Sequence, residues 1–205
     1  GERILMIRTS IAAATVALAS AASAEVIVFT QYDVWAAFCA SSPSTSFIAA
    51  EDFDGYSGFY AGPVVGDVGG IEWSASAAGG LYADAGYFST NLAETELVFA
   101  LAPGVSAVGG NFFGTDINFN VVPSLVEVML SDGTSYIAFL DSADAFVGFY
   151  SLGAEISSIS TLALGSAGGP ATFATANNLY VAVPAPGAIA LLGLAGGVAA
   201  RRRRR

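Results

Sequence analysis

The apolar and polar residues alternate along the middle of the chain with the period of β-strands. Gly70–Ser76 places apolar side chains on one side of an extended segment and polar ones on the other, which is typical of a half-buried strand. Two apolar runs, 125–130 and 134–139, flank Ser131-Asp132-Gly133, and an Asp-Gly turn between such runs predicts a β-hairpin. Glycine and serine recur about every ten residues, a spacing typical of an all-β sandwich or barrel.

The same reasoning predicts about ten strands that form two antiparallel sheets packed face to face. For Val34–Cys39 the pattern fits two alternatives, a continuation of the first strand or one helical turn. Glu94 and Glu96 fall at the start of a predicted strand, where a spacing of two puts them on one face. The other predicted strands are Val26–Tyr32, Leu81–Ala83, Gly86–Ser89, Glu94–Ala102, Val105–Phe113, Phe146–Tyr150, Ile156–Leu164 and Asn178–Val183.

Both ends of the chain differ in character from the middle. Ile11–Leu18 is apolar and precedes Ala22-Ser23-Ala24, a small-residue cleavage pattern, so residues 1–24 are interpreted as a signal peptide region. Residues 183–205 begin with a proline motif, continue as the 14-residue apolar run Gly187–Ala200, and end in arginines. A spanning helix needs about 20 residues, so this short apolar helix would hold a membrane only transiently. An ordinary C-terminal anchor and an apolar hairpin packed on the domain are the alternatives.

This tripartite tail is similar to the PEP-CTERM sorting tail of Gram-negative bacteria that make extracellular polysaccharide. The motif here is a Val-Pro-Ala-Pro variant, with alanine where the common family motif has glutamate. The resemblance implies export with signal peptidase and an exosortase as partners, and arrival at the outer surface or extracellular matrix. The sorting motif is Val183, Pro184, Ala185 and Pro186, and the cytoplasmic basic cluster is Arg201, Arg202, Arg203, Arg204 and Arg205.

Within the proposed domain 25–182, residues 51–182 also resemble the body of PEP-CTERM proteins, and the likeness implies a jelly-roll-like β-sandwich similar to lectin and carbohydrate-binding modules. Ala176-Asn177-Asn178 stands where the family often has a carboxylate. The segments that carry the likeness are Glu51–Asp54, Gly70–Trp73, Gly109–Phe113, Ser131–Thr134 and Phe146–Phe149.

Charge separates the proposed domain from its targeting segments. All seven basic residues lie outside 25–182, whereas only Glu2 of the 17 acidic residues does, which leaves 16 carboxylates and no cation. Side-chain ion pairs therefore cannot form within 25–182. Binding to nucleic acid is disfavoured because it depends on lysine and arginine.

Three carboxylates, Glu51, Asp52 and Asp54, are the candidate metal ligands. Oxygen ligands of this kind suit Ca²⁺, with Asp116 or Asp141 as remote candidates to complete the site. A solvated acidic turn is the alternative interpretation. Calcium is thus the one cofactor considered.

Aromatic residues in or near the first third of the domain suggest a surface for stacking on sugar rings, with Tyr56, Tyr60 and Trp73 as the foremost candidates; an ordinary core role is the alternative. The full set is Tyr56, Phe59, Tyr60, Trp73, Tyr82 and Tyr87. The chain has no histidine, and no catalytic constellation is found. Glu94 and Glu96 are the best pair for glycoside hydrolysis, although a solvent-facing role is favoured. We expect a non-enzymatic, exported, structural or adhesive protein linked to exopolysaccharide. The alternative is a carbohydrate-binding module assisted by calcium.

Overall fold

A computed structural model describes residues 25–42, 45, 47–84 and 86–183. Within them the chain is mostly antiparallel β-structure in two sheets, which confirms the all-β prediction. The predicted signal peptide and sorting tail, apart from Val183, lie outside the described residues.

Fifteen strands and one helix make up the described part of the chain. In chain order they are β1 (Glu25–Phe29), α1 (Tyr32–Ser41), β2 (Phe47–Glu51), β3 (Gly58–Tyr60), β4 (Val64–Val68), β5 (Ile71–Ala77), β6 (Leu81–Asp84), β7 (Tyr87–Thr90), β8 (Leu97–Leu101), β9 (Ala107–Thr115), β10 (Val121–Val122), β11 (Ser124–Leu130), β12 (Ser135–Leu140), β13 (Phe146–Leu152), β14 (Ser158–Leu164) and β15 (Phe173–Val183).

Sheet A has the strand order β1-β13-β9-β15-β7-β6-β3, with β10 added beside β9 and β2 beside β15. Strand β15 lies in the interior of the sheet, with neighbours on both edges. Strand β9 pairs with one edge along most of the length of β15. The other edge of β15 is shared, β7 pairing near Thr175 and β2 from Leu179 onward. A β-bulge lies between Ala176 and Asn178, where β15 passes from one neighbour to the other. A bulge of this kind re-aims the side chains beside it.

Sheet B has the order β12-β11-β14-β8-β5-β4. Its β11–β12 hairpin is the one predicted from the Asp-Gly turn, with Ser124 opposite Leu140 and Met129 opposite Ser135. Gly133 has φ of 87°, and the Asp132 carboxylate accepts a hydrogen bond from Thr134 N at 2.8 Å. The local sequence therefore closes this hairpin.

The inner faces of the two sheets enclose one large hydrophobic core. An aromatic group occupies its centre: Phe53 lies parallel to Phe99 at 5.7 Å and packs edge-on against Phe88 at 4.8 Å and Trp73 at 5.7 Å. All four side chains are buried. Contacts of this kind add about 0.5–1.5 kcal/mol each beyond the area they bury.

Helix α1 covers part of the outer face of sheet A and builds a second, smaller core. Trp35 and Cys39, four residues apart on one helix face, are fully buried against Phe146 and Tyr150. The Trp35 indole donates to Phe149 O at 3.1 Å. Burial raises the pKa of the Cys39 thiol to about 11, so this cysteine is an inert core residue.

Two local predictions are corrected. Residues 34–39 belong to a ten-residue helix, longer than the single turn considered, because its Trp35 and Cys39 find an apolar sheet face to cover. Glu94 and Glu96 precede β8 rather than lying on a strand. Glu94 has φ of 53°, which is incompatible with extended structure, and its N–H donates to Thr172 O.

Candidate functional site

A cleft with a volume of about 500 Å³ lies on the outer face of sheet A. We call it the outer cleft. Strands β6, β7 and β15 form its base, and the loop 116–120 between β9 and β10 forms one wall. Its lining residues are Tyr82, Asp84, Ser89, Thr90, Asn91, Asp116, Ile117, Asn118, Phe119 and Phe173.

The alternation of β-strand side chains explains why these residues face outward. Leu81 and Ala83 of β6 point into the core, so Tyr82 and Asp84 point away from it. Phe88 of β7 is likewise a core residue. Its neighbour Ser89 therefore faces the cleft.

A row of buried hydroxyls supports the base of the cleft. Thr115 and Thr175 share a hydrogen bond of 2.7 Å, and the Thr175 hydroxyl donates to Ser89 Oγ at 2.8 Å. The three side chains belong to β9, β15 and β7, which are adjacent strands. Buried hydroxyls that satisfy one another in this way fix the position of the Ser89 oxygen at the cleft.

Aromatic rings form the apolar wall. Phe119 lies 6.0 Å from Tyr82 and 6.2 Å from Tyr87, and Tyr87 packs edge-on against Phe113 at 5.3 Å. Tyr82 is 43% exposed, so part of its side chain is accessible to a ligand. Phe119 has φ of 62°, a backbone conformation that a bulky residue adopts only when its surroundings impose it.

Asp116 imposes that conformation. Its carboxylate accepts hydrogen bonds from Asn118 N at 2.8 Å, Asn120 N at 3.0 Å and Asn120 Nδ2 at 3.0 Å. The Asn120 side chain, together with these backbone N–H groups, holds the pKa of Asp116 below its ordinary value. Asp116 therefore stays ionised and keeps the loop, and with it Phe119, in place.

The outer cleft thus combines exposed ring faces with hydroxyl, amide and carboxylate groups. Pockets that bind small molecules share this design, an apolar lining with a few fixed polar groups. Sugar rings offer an apolar face to aromatic side chains and hydroxyls to amides and carboxylates. The arrangement suits an uncharged polyhydroxyl ligand, since residues 25–182 supply no cation for an anionic one.

The three foremost aromatic candidates from the sequence lie elsewhere, whereas Tyr82 of the same aromatic set lines the outer cleft. Trp73 is a core residue, 1% exposed, so its ring presents no face to a ligand. Tyr56 and Tyr60 are half-buried and pack on Phe88, 5.0 and 6.2 Å away between ring centres. The alternative core interpretation describes all three better.

The acidic candidates form a tight turn around a buried anchor. Phe53 is fully buried with φ of 60°, while the carboxylates beside it bond to the local backbone. Glu51 Oε1 accepts from Phe53 N at 3.1 Å, and Asp52 Oδ1 accepts from Asp54 N at 3.1 Å. Among the described residues, no group of three His, Cys, Asp or Glu side chains is placed to hold a metal ion.

The structure brings Asp54 close to Gly86, a residue that the sequence does not connect with it. A Cβ built on Gly86 would lie 2.8 Å from Asp54 Oδ1, 3.2 Å from Asp52 O and 3.8 Å from Asn177 Oδ1. A carboxylate, a carbonyl and an amide oxygen therefore surround Gly86. Asn177 lies in the β15 bulge, at the position where the PEP-CTERM likeness leads one to expect a carboxylate.

Sequence reasoning missed most of the outer cleft. The loop 116–120 carries a detectable signal, because an Asp followed by Asn118 and Asn120 is typical of a side-chain-stabilised turn. No local signal indicates that this turn lies over β6 and β7, since β6 and β7 are separated from it by more than 25 residues of sequence.

No protein-family model, curated protein or solved structure matches this chain. None of the helices in the described residues has the length and apolar content needed to cross a membrane.

Proposed function

We propose that this chain is a non-enzymatic, exported surface or matrix protein that adheres to exopolysaccharide through the outer cleft. In this proposal the two-sheet sandwich is a jelly-roll-like carbohydrate-binding scaffold. The observation that carries the binding role is the cleft itself, in which the exposed ring of Tyr82 lies opposite Phe119 and beside hydroxyl and amide groups. Export, exosortase sorting and transient membrane association rest on the sequence of residues 1–24 and 183–205.

Binding is favoured over hydrolysis by the environment of Asp116 in the cleft. Glycoside hydrolysis requires one carboxylic acid to remain protonated near neutral pH, which its surroundings must achieve by raising its pKa. Asp116 has the opposite environment, since its hydrogen bonds lower the pKa and are needed to hold the loop. Its role is therefore structural rather than that of a proton donor.

The binding proposal is tested with Tyr82→Ala. We expect migration of the full chain through native gels containing neutral polysaccharide to be retarded, and Tyr82→Ala to weaken the interaction about tenfold, a loss of about 1.4 kcal/mol. Phe139→Ala is the matched control, because Phe139 is a 66% exposed ring on sheet B, away from the cleft. Equal retardation of wild type and Tyr82→Ala, or none in any neutral polysaccharide, contradicts the proposal.

A second candidate function is calcium-assisted binding, favoured by the oxygens of Asp52, Asp54 and Asn177 around Gly86. Carboxylate, carbonyl and amide oxygens are the ligands that Ca²⁺ takes in proteins. Glu51 contributes less in this arrangement, because its carboxylate bonds to Phe53 N.

This candidate predicts that Ca²⁺ raises the melting temperature of the full chain more than Mg²⁺ at equal ionic strength, because a ligand that binds only the folded state stabilises it. Asp54→Asn should remove the difference, whereas Asp132→Asn, in the sheet B hairpin turn, should keep it. Equal shifts with both ions in the wild type rule out this candidate.

A further inference from the structure

The outer face of sheet A continues beyond the cleft as an ordered series of side chains. Strands β9 and β15 run side by side there, with Thr175 opposite Phe113, Asn178 opposite Asn111 and Tyr180 opposite Gly109. Successive rows on one face are two residues apart. The Tyr180 row is therefore about 14 Å along β9 from the Thr175 row.

A second aromatic group, the Tyr32 cluster, lies at the far end of this series. It consists of Tyr32, Phe146 and Tyr180, and Tyr32 lies 4.6 Å from Tyr180 and 5.6 Å, edge-on, from Phe146. Tyr32 is 39% exposed at the first turn of α1. Glycines at 109 and 148 leave room for the Phe146 ring, since a Cβ on either would lie 2.7 Å from it.

An amide pair lies between the two aromatic groups. Asn178 Nδ2 donates to Asn111 Oδ1 at 3.1 Å, and both side chains are half-buried. The pair retains the Asn111 amide N–H groups and the Asn178 carbonyl oxygen for further hydrogen bonds. The face therefore presents rings, then amides, then rings.

The outer cleft is connected to this series by packed rings. Tyr82 and Tyr87 both contact Phe119, and Tyr87 contacts Phe113, which is the neighbour of Asn111 on the same face of β9. Strand β6, which carries Tyr82, lies two strands from β15, about 10 Å across the sheet. A ligand that reaches both aromatic groups must therefore span much more than one sugar ring.

We propose that a linear, uncharged glycan chain binds across the outer face of sheet A, from the outer cleft over the Asn111–Asn178 pair to the Tyr32 cluster. This inference rests on the proposed carbohydrate-binding function and names its ligand class as an internal stretch of a neutral polysaccharide. Charge supports the choice, because the 16 carboxylates of residues 25–182 have no basic partner and repel uronic acid or sulfated chains.

The experiment is isothermal titration of the full chain with neutral hexasaccharides of glucose, mannose and galactose, with the corresponding disaccharides, and with a galacturonic acid hexasaccharide. We expect at least one neutral hexasaccharide to bind about tenfold more tightly than its disaccharide. Tyr32→Ala should lower the hexasaccharide affinity to the disaccharide level. The galacturonic acid hexasaccharide should not bind at low salt.

Two variants keep the result interpretable. Tyr32→Phe keeps the ring and should restore hexasaccharide binding, and Val34→Ala, a 52% exposed position on the same helix, should have no effect. Equal affinity for disaccharide and hexasaccharide, or unchanged hexasaccharide affinity in Tyr32→Ala, overturns the extended site but leaves the cleft proposal standing. Binding by none of the neutral sugars overturns both.

Discussion

Individual residues of the loop 116–120 decide the shape of the outer cleft. Asp116 accepts three hydrogen bonds and so holds Phe119 in a left-handed conformation against Tyr82. The Phe119 ring and the Asp116 carboxylate therefore act together. Phe119 forms one wall of the cleft, and Asp116 keeps it in position.

Protonation of Asp116 should therefore open the cleft. The pKa of this carboxyl is lowered in the folded state, so its contribution to loop stability is present above 3.8, the ordinary value, and is lost as pH falls through the folded value. We expect glycan affinity in the native gels to hold from pH 7 down to the ordinary value of 3.8 and to fall only below it.

Asp116→Asn should weaken glycan binding already at neutral pH, and the further fall in affinity at low pH should be reduced. Asp84→Asn is the matched control, because Asp84 lines the same cleft but is absent from the hydrogen bonds that hold the loop. Circular dichroism at each pH separates loss of the loop from global unfolding. If the fall in affinity at low pH is unchanged in Asp116→Asn, the proposed role of Asp116 in holding the loop is contradicted.

At the scale of elements, helix α1 depends on glycine in the strands beneath it. A Cβ on Gly148 of β13 would lie 2.7 Å from the Phe146 ring and 2.9 Å from Trp35. The helix therefore packs on a part of the sheet where glycine leaves room for it.

Gly148→Ala should lower the free energy of unfolding by about 1–3 kcal/mol, the usual cost of overpacking. Gly62→Ala is the matched control, since nothing lies within 4 Å of the added methyl group there and its effect should stay within about 0.5 kcal/mol. Urea unfolding of both variants measures the difference. Equal stability of the two variants contradicts the docking of α1 on this surface.

The sequence predicts some elements well for identifiable reasons. Strand β5 alternates apolar and polar residues, and the β11–β12 hairpin has an Asp-Gly turn between two apolar runs, so no distant contact is needed to define them. Strands β2, β3 and β4 were missed, because they are short and their segments contain alanine and glycine. Pairing with β15, β6 and β5 is what makes them strands.

The candidate sites follow the same rule. Phe53, Trp73 and Tyr82 are all aromatic residues in the same part of the sequence. Phe53 and Trp73 nevertheless lie in the core, whereas Tyr82 is exposed on the outer face. The sequence predicts Leu81–Ala83 as a strand but does not give its register, so it does not indicate which of its side chains face the core. The meeting of loop 116–120 with β6 depends on the packing of the whole sheet, which no local pattern encodes.

At the scale of the whole molecule, charge and architecture point to the same kind of partner. Residues 25–182 form a strongly acidic sandwich whose cleft has rings and neutral polar groups, and every basic residue of the chain lies in the proposed targeting segments. Such a domain stays soluble through its net charge and repels anionic polymers. An uncharged polysaccharide surface is the partner that both features favour.

The central claim is that the outer cleft binds neutral glycan. The most direct measurement is an NMR titration of the isotopically labelled full chain with the tightest-binding neutral hexasaccharide. Backbone amide resonances of Tyr82, Asn91 and Phe119 should shift in a saturable manner, while those of Ile137 and Phe139 on sheet B should not. Saturable shifts confined to sheet B, or no saturable shift at the cleft, would contradict it.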